Sequence, residues 1–214
     1  MGYSLAGFTD IVGVDAEPMP RYPFTFVQGD ALEYLAAHGR EFDAIHASPP
    51  CQRYSQATFC RGAREHHPDL IEPTRRLLDL AGRPWVMENV ERAPLVGSCS
   101  IVLCGLMFGL KVFRHRLFES STFMMQPSHP RHGKRRIGKD GFVCVAGHGG
   151  QLTGWKGSGT RVTVPVDHRN KASWERAMGI DWMTRDELAQ AIPPAYTRFV
   201  GAQLLAAAEA ARVA

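Results

Sequence analysis

The chain has 214 residues, 44% of them hydrophobic and 21% charged, which suits one substantial domain with a small appendage and excludes global disorder. Twenty-five Lys and Arg against 21 Asp and Glu leave a formal charge of +4, an excess that permits an acidic partner without requiring one. No run approaches the roughly 18 apolar residues of a membrane span and no secretory leader opens the chain, so a cytoplasmic monomer without membrane contact is expected.

The first residues, Met1 to Phe8, run almost directly into Ile11-Val12-Gly13-Val14-Asp15, so the expectation is that a leading strand is missing in front. Ile11–Val14 and Thr25–Val27 are short β-branched runs ending near acids, Asp15 and Asp30, and read as buried parallel strands. Ala31–His38 is helical in composition and Gly39 closes it. A third strand over Asp43–Ala47 is halted by Ser48-Pro49-Pro50, because proline cannot continue a ladder. Leu70–Ala81 carries apolar residues at helical spacing, and Trp85-Val86-Met87 is a strand that delivers Glu88 and Asn89 to its C-terminal end. Phe113–Phe118 alternates apolar residues with Arg114 and Arg116 and reads as another strand.

From Ser120 to about Lys171 the composition turns basic and glycine-rich, with only Phe142–Val145 and Arg161–Val166 strand-like. Beyond it, Thr184-Arg185-Asp186-Glu187 fits a capping box, and Pro193-Pro194 opens a helix with a Tyr196, Phe199, Val200 and Leu204 stripe. Strands alternating with helices imply an α/β fold with a mostly parallel sheet. The expected division is a core over 1–120, an insertion over 121–170 and C-terminal helices over 171–214 packing back on the core.

Five cysteines, Cys51, Cys60, Cys99, Cys104 and Cys144, form no C-x-x-C pair and no disulfide framework. Neither His66-His67 with Cys60 nor Cys99 with Cys104 has the spacing of a zinc site, so no metal is expected. Cys51 stands apart, because a thiol on a rigid proline turn past one strand, with a carboxylate at the end of the next, meets it at one edge of a parallel sheet. Such a pair suits covalent attack on a pyrimidine, with the thiolate adding to an electron-poor carbon while the carboxyl serves a ring nitrogen. The remaining four cysteines read as core thiols.

With Pro49-Pro50-Cys51-Gln52 and Ser55, Glu88-Asn89-Val90, and Arg114-His115-Arg116-Leu117-Phe118 in this order, the chain resembles the C5-cytosine-specific DNA methyltransferase family. Weaker echoes are Ala6-Gly7-Phe8 with Asp15, Gly29-Asp30, Glu175-Arg176-Ala177-Met178-Gly179 and Ile192-Pro193-Pro194, so the likeness runs over nearly the whole chain except the basic insertion. The resemblance implies a Rossmann-like methyltransferase sheet, here without its first strand, and transfer of a methyl group from S-adenosylmethionine to C5 of a flipped cytosine in double-stranded DNA. It implies Cys51 as the nucleophile at C6, Glu88 at N3 and the exocyclic amine, Arg116 at O2 with Arg114 supporting it, and Asn89 shaping the pocket. Asp15 matches the acid at the cofactor ribose and Asp30 the residue at its adenine, with Pro50 beside them. Gln52 and Ser55, together with Arg131, Lys134, Arg135 and Arg136 of the insertion, are the implied DNA contacts.

Three positions depart from the family pattern. Its glycine-rich opening turn is not in the chain, Val112 stands where a glutamine is usual, and Ala189-Gln190 replaces a Gly-Asn pair. Two rival readings follow, a non-catalytic DNA-binding relative lacking cofactor binding, and a pyrimidine-nucleotide enzyme similar to thymidylate synthase, which shares only the Pro-Cys nucleophile.

Overall fold

The computed structural model describes residues 1–55, 64–96, 100–133, 141–145 and 170–213. The chain divides into two compact units, the first made of Met1–Leu103, His115–Gln126 and Arg198–Ala214, the second of Cys104–Arg114 and Pro127–Thr197. Among the described residues, no helix is long and apolar enough to cross a membrane.

The first unit is α/β with mixed sheets. After a five-residue helix, α1 (Gly2–Ala6), β1 (Val12–Asp15) pairs in parallel with β2 (Thr25–Gln28) as a separate two-stranded sheet. Helix α2 (Ala31–His38) has the bounds read from its sequence, because Asp30 caps its N-terminus by accepting from the backbone N–H groups of Leu32 and Glu33. The second sheet has the order β3-β4-β6-β5, from β3 (Ile45–Ala47), β4 (Trp85–Asn89), β5 (Ser100–Leu103) and β6 (Arg116–Ser120). Here β3 and β4 are parallel, joined across α3 (Ile71–Ala81), whereas β6 runs antiparallel to both of its neighbours. The expectation of a mostly parallel sheet is therefore corrected to a mixed one. Parallel pairing needs a crossover, and between β4 and β6 the described chain holds only β5 and a short 3-10 turn, Gly105–Phe108.

Every residue of β4 is buried, as its unbroken apolar start predicts for a central strand covered on both faces. Trp85 and Met87 pack with Ile71 and Leu78 of α3, Tyr54 and Ala93. Within this apolar setting Glu119 of β6 is only 2% exposed. Arg75 of α3 meets it with a two-pronged ion pair, Nε to Oε1 at 2.7 Å and Nη2 to Oε2 at 2.8 Å, and the Val96 N–H donates to Oε2 at 2.9 Å. These bonds meet the condition on which a buried charge is tolerated. Gly201, in the last helix, sits so close to α1 that a Cβ there would lie 2.8 Å from the Tyr3 ring.

The second unit contains α4 (Lys171–Met178), α5 (Arg185–Gln190) and the start of α6 (Pro194–Val213), whose later turns belong to the first unit. The capping box is realised, with the Thr184 N–H donating to Glu187 Oε2 at 2.6 Å and the Glu187 N–H to Thr184 Oγ1 at 3.4 Å. Val112, Val143, Trp174, Met178 and Leu188 form its core. The strand-like stretch at Phe142–Val145 contributes a single parallel bridge, Val143 to Val112; that at Arg161–Val166 lies outside the described residues. Gly105 is required by close approach, since a Cβ there would lie 1.9 Å from the Val112 carbonyl oxygen.

Candidate active site at the ends of two parallel strands

Because β3 and β4 are parallel, with Ala47 opposite Met87, both release their chains at the same edge of the sheet. Pro49-Pro50 ends β3, and the buried Asn89 side chain then ties the turn to its neighbour, Nδ2 donating to the Pro49 carbonyl at 2.8 Å. The other end of the same amide accepts from the Val90 N–H at 2.9 Å, which fixes its orientation. Cys51 follows on this pinned turn, half-buried, at the N-terminal edge of a 3-10 turn over Gln52–Tyr54 whose Tyr54 N–H donates to the Cys51 carbonyl at 3.0 Å.

Glu88 is 7% exposed, and β6 supplies its counter-charge, with Arg116 Nε 2.9 Å from Glu88 Oε1. Arg116 is held in turn by Nη1 donating to the His115 carbonyl at 2.8 Å, and His115 Nδ1 lies 3.7 Å from Glu91 Oε2. The structure thus brings Glu88, Asn89, Arg116 and the Cys51 turn to one end of the sheet, within one unit. Pro50 and Gln52 are exposed there and Ser55 is half-buried.

Two features of this edge escaped sequence reasoning. His46 on β3 bonds the Tyr3 hydroxyl through Nδ1 and Ser48 Oγ through Nε2, the latter at 2.8 Å, so it steadies the entrance to the proline turn. Burial pushes its pKa down to about 4, which keeps the ring neutral near pH 7. A cavity of about 270 Å³ is lined by Arg53, Tyr54, Arg64 and Arg92. Arg53 and Tyr54 lie two and three residues past Cys51, and that Cys-x-Arg-Tyr continuation was the available signal.

Asp15 ends β1 and is exposed, its Oδ1 accepting from the Glu17 N–H at 2.9 Å. Asp30 caps α2 just beyond β2, and its Oδ1 accepts at 2.7 and 3.0 Å. Two exposed carboxylates past neighbouring parallel strands lie where α/β sheets take nucleoside ligands. The carboxylate oxygens of Asp15 and Asp30 can accept from hydroxyl or amine groups of a ligand.

Arg114 belongs to the second unit. Its guanidinium donates to the carbonyls of Ala191 at 2.9 Å, Val145 at 2.6 Å and Ala189 at 2.8 Å. The exposed Arg131 lies in the same unit, while Lys134, Arg135 and Arg136 lie outside the described residues.

Cys60 and Cys99 also lie outside the described residues, and none of Cys51, Cys104 and Cys144 is in a disulfide. Burial raises the Cys144 thiol pKa, against the pull of Arg114. Cys104 is not simply a core thiol, because in the second unit its Sγ lies 3.5 Å from His132 Nε2, with His129 beside them. The fold thus groups Cys104 with imidazoles far along the chain, a set that could hold a metal ion, whereas the spacings rejected in the sequence involve near neighbours alone.

Neither protein-family models nor curated proteins give a match to this chain.

Proposed function

We propose that this protein methylates cytosine at C5 in double-stranded DNA, using Cys51 as a transient covalent nucleophile. The observation that carries the reading is the joint anchoring of the Cys51 turn by Asn89 and of Glu88 by Arg116, at the ends of adjacent parallel strands. A flipped cytosine placed at this edge meets a thiol and a fixed carboxylate from two different strands.

In this reading the Cys51 thiolate adds to C6 and its sulfur–carbon bond makes C5 electron-rich. Glu88 holds N3 and the exocyclic amine as charge builds on the ring, and Arg116 both orients Glu88 and faces O2. Once C5 carries the new methyl group, loss of its proton to a base restores the ring and expels the Cys51 thiolate. S-adenosylmethionine, held by Asp15 and Asp30 with Pro50 alongside, supplies an electrophilic methyl group when bound. The family resemblance gives Arg114 a role in supporting Arg116, two positions along the chain. The DNA backbone is met by Arg131, Lys134, Arg135 and Arg136, with Gln52 and Ser55 at the Cys51 turn. The guanidinium-lined cavity at Arg53, Arg64 and Arg92 adds cationic surface for phosphate close to the nucleophile.

The test is a trapping experiment with duplex DNA carrying 5-fluorocytosine. Fluorine cannot leave C5 as a proton does, so incubation with S-adenosylmethionine is expected to give a denaturant-stable protein–DNA adduct that Cys51→Ser does not form. Absence of adduct from protein shown to bind both DNA and cofactor, or an equal yield from Cys51→Ser, overturns the reading.

A further inference from the structure

We propose that the second unit carries a zinc site built from Cys104, His129 and His132. Each offers one ligand atom, and these atoms lie within 4.8 Å of one another. The separation of Cys104 Sγ from His132 Nε2, 3.5 Å, equals the edge of a tetrahedron around zinc. A zinc–sulfur bond of about 2.3 Å and a zinc–nitrogen bond of about 2.05 Å at a tetrahedral angle place the two donors about 3.55 Å apart.

The neighbours of these ligands support the same assignment. Cys104 is buried, and the start of the 3-10 turn over Gly105–Phe108 fixes its backbone, the Cys104 N–H donating to the Met107 sulfur at 3.4 Å and the Cys104 carbonyl accepting from the Met107 N–H at 3.0 Å. The residue that supplies the thiolate is therefore held in place by its own turn. The His132 ring stacks on Phe113 at 4.4 Å between centroids, and Phe113 stacks on Phe142 at 5.0 Å. The imidazole orientation is thus set by packing before any ion arrives. His129 is exposed, leaving the cluster an access route from solvent. One thiolate with two imidazoles is a mixed soft and borderline donor set that selects zinc over magnesium or calcium, which take oxygen.

The placement gives the ion a structural task. The second unit is assembled from two chain segments, Cys104–Arg114 and Pro127–Thr197. Cys104 is the first residue of one, and His129 and His132 lie near the start of the other. Zinc here clips the two segments at their entrances, immediately before the basic run that begins at Lys134. Binding converts the Cys104 thiol to a thiolate and releases its proton to solvent, so affinity rises with pH.

Metal analysis of the full chain, purified without chelator and dialysed, tests this. About one zinc per chain is expected, and Co²⁺ in its place should show the thiolate-to-cobalt absorption band with tetrahedral d–d intensity. Cys104→Ser should lose that band, and His129→Gln should weaken zinc binding about 100-fold; because His129 is exposed, this second variant keeps its fold without metal. Cys144→Ser, which alters a thiol outside the cluster, should retain full zinc. A chelator should lower Tm in the unmodified chain but not in His129→Gln. Protein that neither retains Zn²⁺ nor takes up Co²⁺, or that binds zinc equally well as His129→Gln, overturns the proposal.

Discussion

The two sheets of the first unit hold their polar residues in opposite ways. In the β3-β4-β6-β5 sheet the acids sit inside: Glu119 and Glu88 are almost fully buried, and each is matched by an arginine from another element. In the β1-β2 pair no residue is buried, and Asp15 and Asp30 face solvent while bonding backbone within three residues of themselves. The first sheet specifies its geometry through long-range contacts, the second through local turn chemistry. In the proposed reading Glu88 holds a reacting ring and needs the first kind of support, because small misplacements there are costly, whereas Asp15 and Asp30, proposed to receive a flexible nucleoside, tolerate the second.

Four experiments probe that contrast. Glu119→Ala removes the buried partner of the Arg75 guanidinium, which is 16% exposed, and leaves it only the exposed Glu72 carboxylate and the Pro94 carbonyl; this should cost about 3 kcal/mol in urea unfolding. A loss below about 1 kcal/mol would show that the pair is not buried in the sense argued. Asn89→Ala should cost about 1–3 kcal/mol for the orphaned Pro49 carbonyl and amide contact, and should lower methyl transfer more than cofactor binding. Equal losses in both would place its role outside the Cys51 turn. For the β1-β2 side, Asp30→Ala should cost about 1 kcal/mol by removing a helix cap. Asp30→Ser should recover that stability yet still bind S-adenosylmethionine more weakly, read by calorimetry; unaltered binding would reduce Asp30 to a cap.

The smallest signature is a slope. His46 in the folded chain has a pKa near 4, below the ordinary imidazole value of about 6.5, so between those pH values the unfolded chain binds a proton that the folded chain refuses. Stability should therefore fall as pH drops from about 6.5 to about 4, with no further loss from this group below that, and His46→Gln should flatten this part of the profile. Identical profiles for the two proteins would remove His46 from the account.

What could be read in advance follows the same division. Helix α2 and the capping box at Thr184 were legible to the residue, because both are decided by bonds spanning two or three positions. The alignment of Cys51 with Glu88 was legible as topology, from two parallel strands ending together, although nothing local announces that Asn89 joins them. Strand β5 was missed; its signal was the short Ile101-Val102-Leu103 run ahead of Gly105, too brief to separate from a loop by periodicity. Strand β6 begins at Arg116 and not at Phe113, because Arg114 adopts a φ of 36° that no alternation pattern reveals. The Cys104 and His132 pair was invisible for a related reason: 28 positions separate the two residues, and only the fold gives that spacing a meaning.

Arg114 has a consequence of its own. A positive φ at a residue with a side chain is ordinarily left to glycine, yet here the backbone angle and three carbonyl bonds belong to one residue at the last position before the chain leaves the second unit. The turn is therefore enforced from outside rather than permitted from within. Glycine at this position relaxes the angle and discards the clamp, while lysine keeps the charge and cannot reach three oxygens in one plane. Arginine alone combines the charge with a fork that reaches three carbonyls, so a residue singled out in the sequence for its place in an Arg-x-Arg pair also fixes the turn on which it stands.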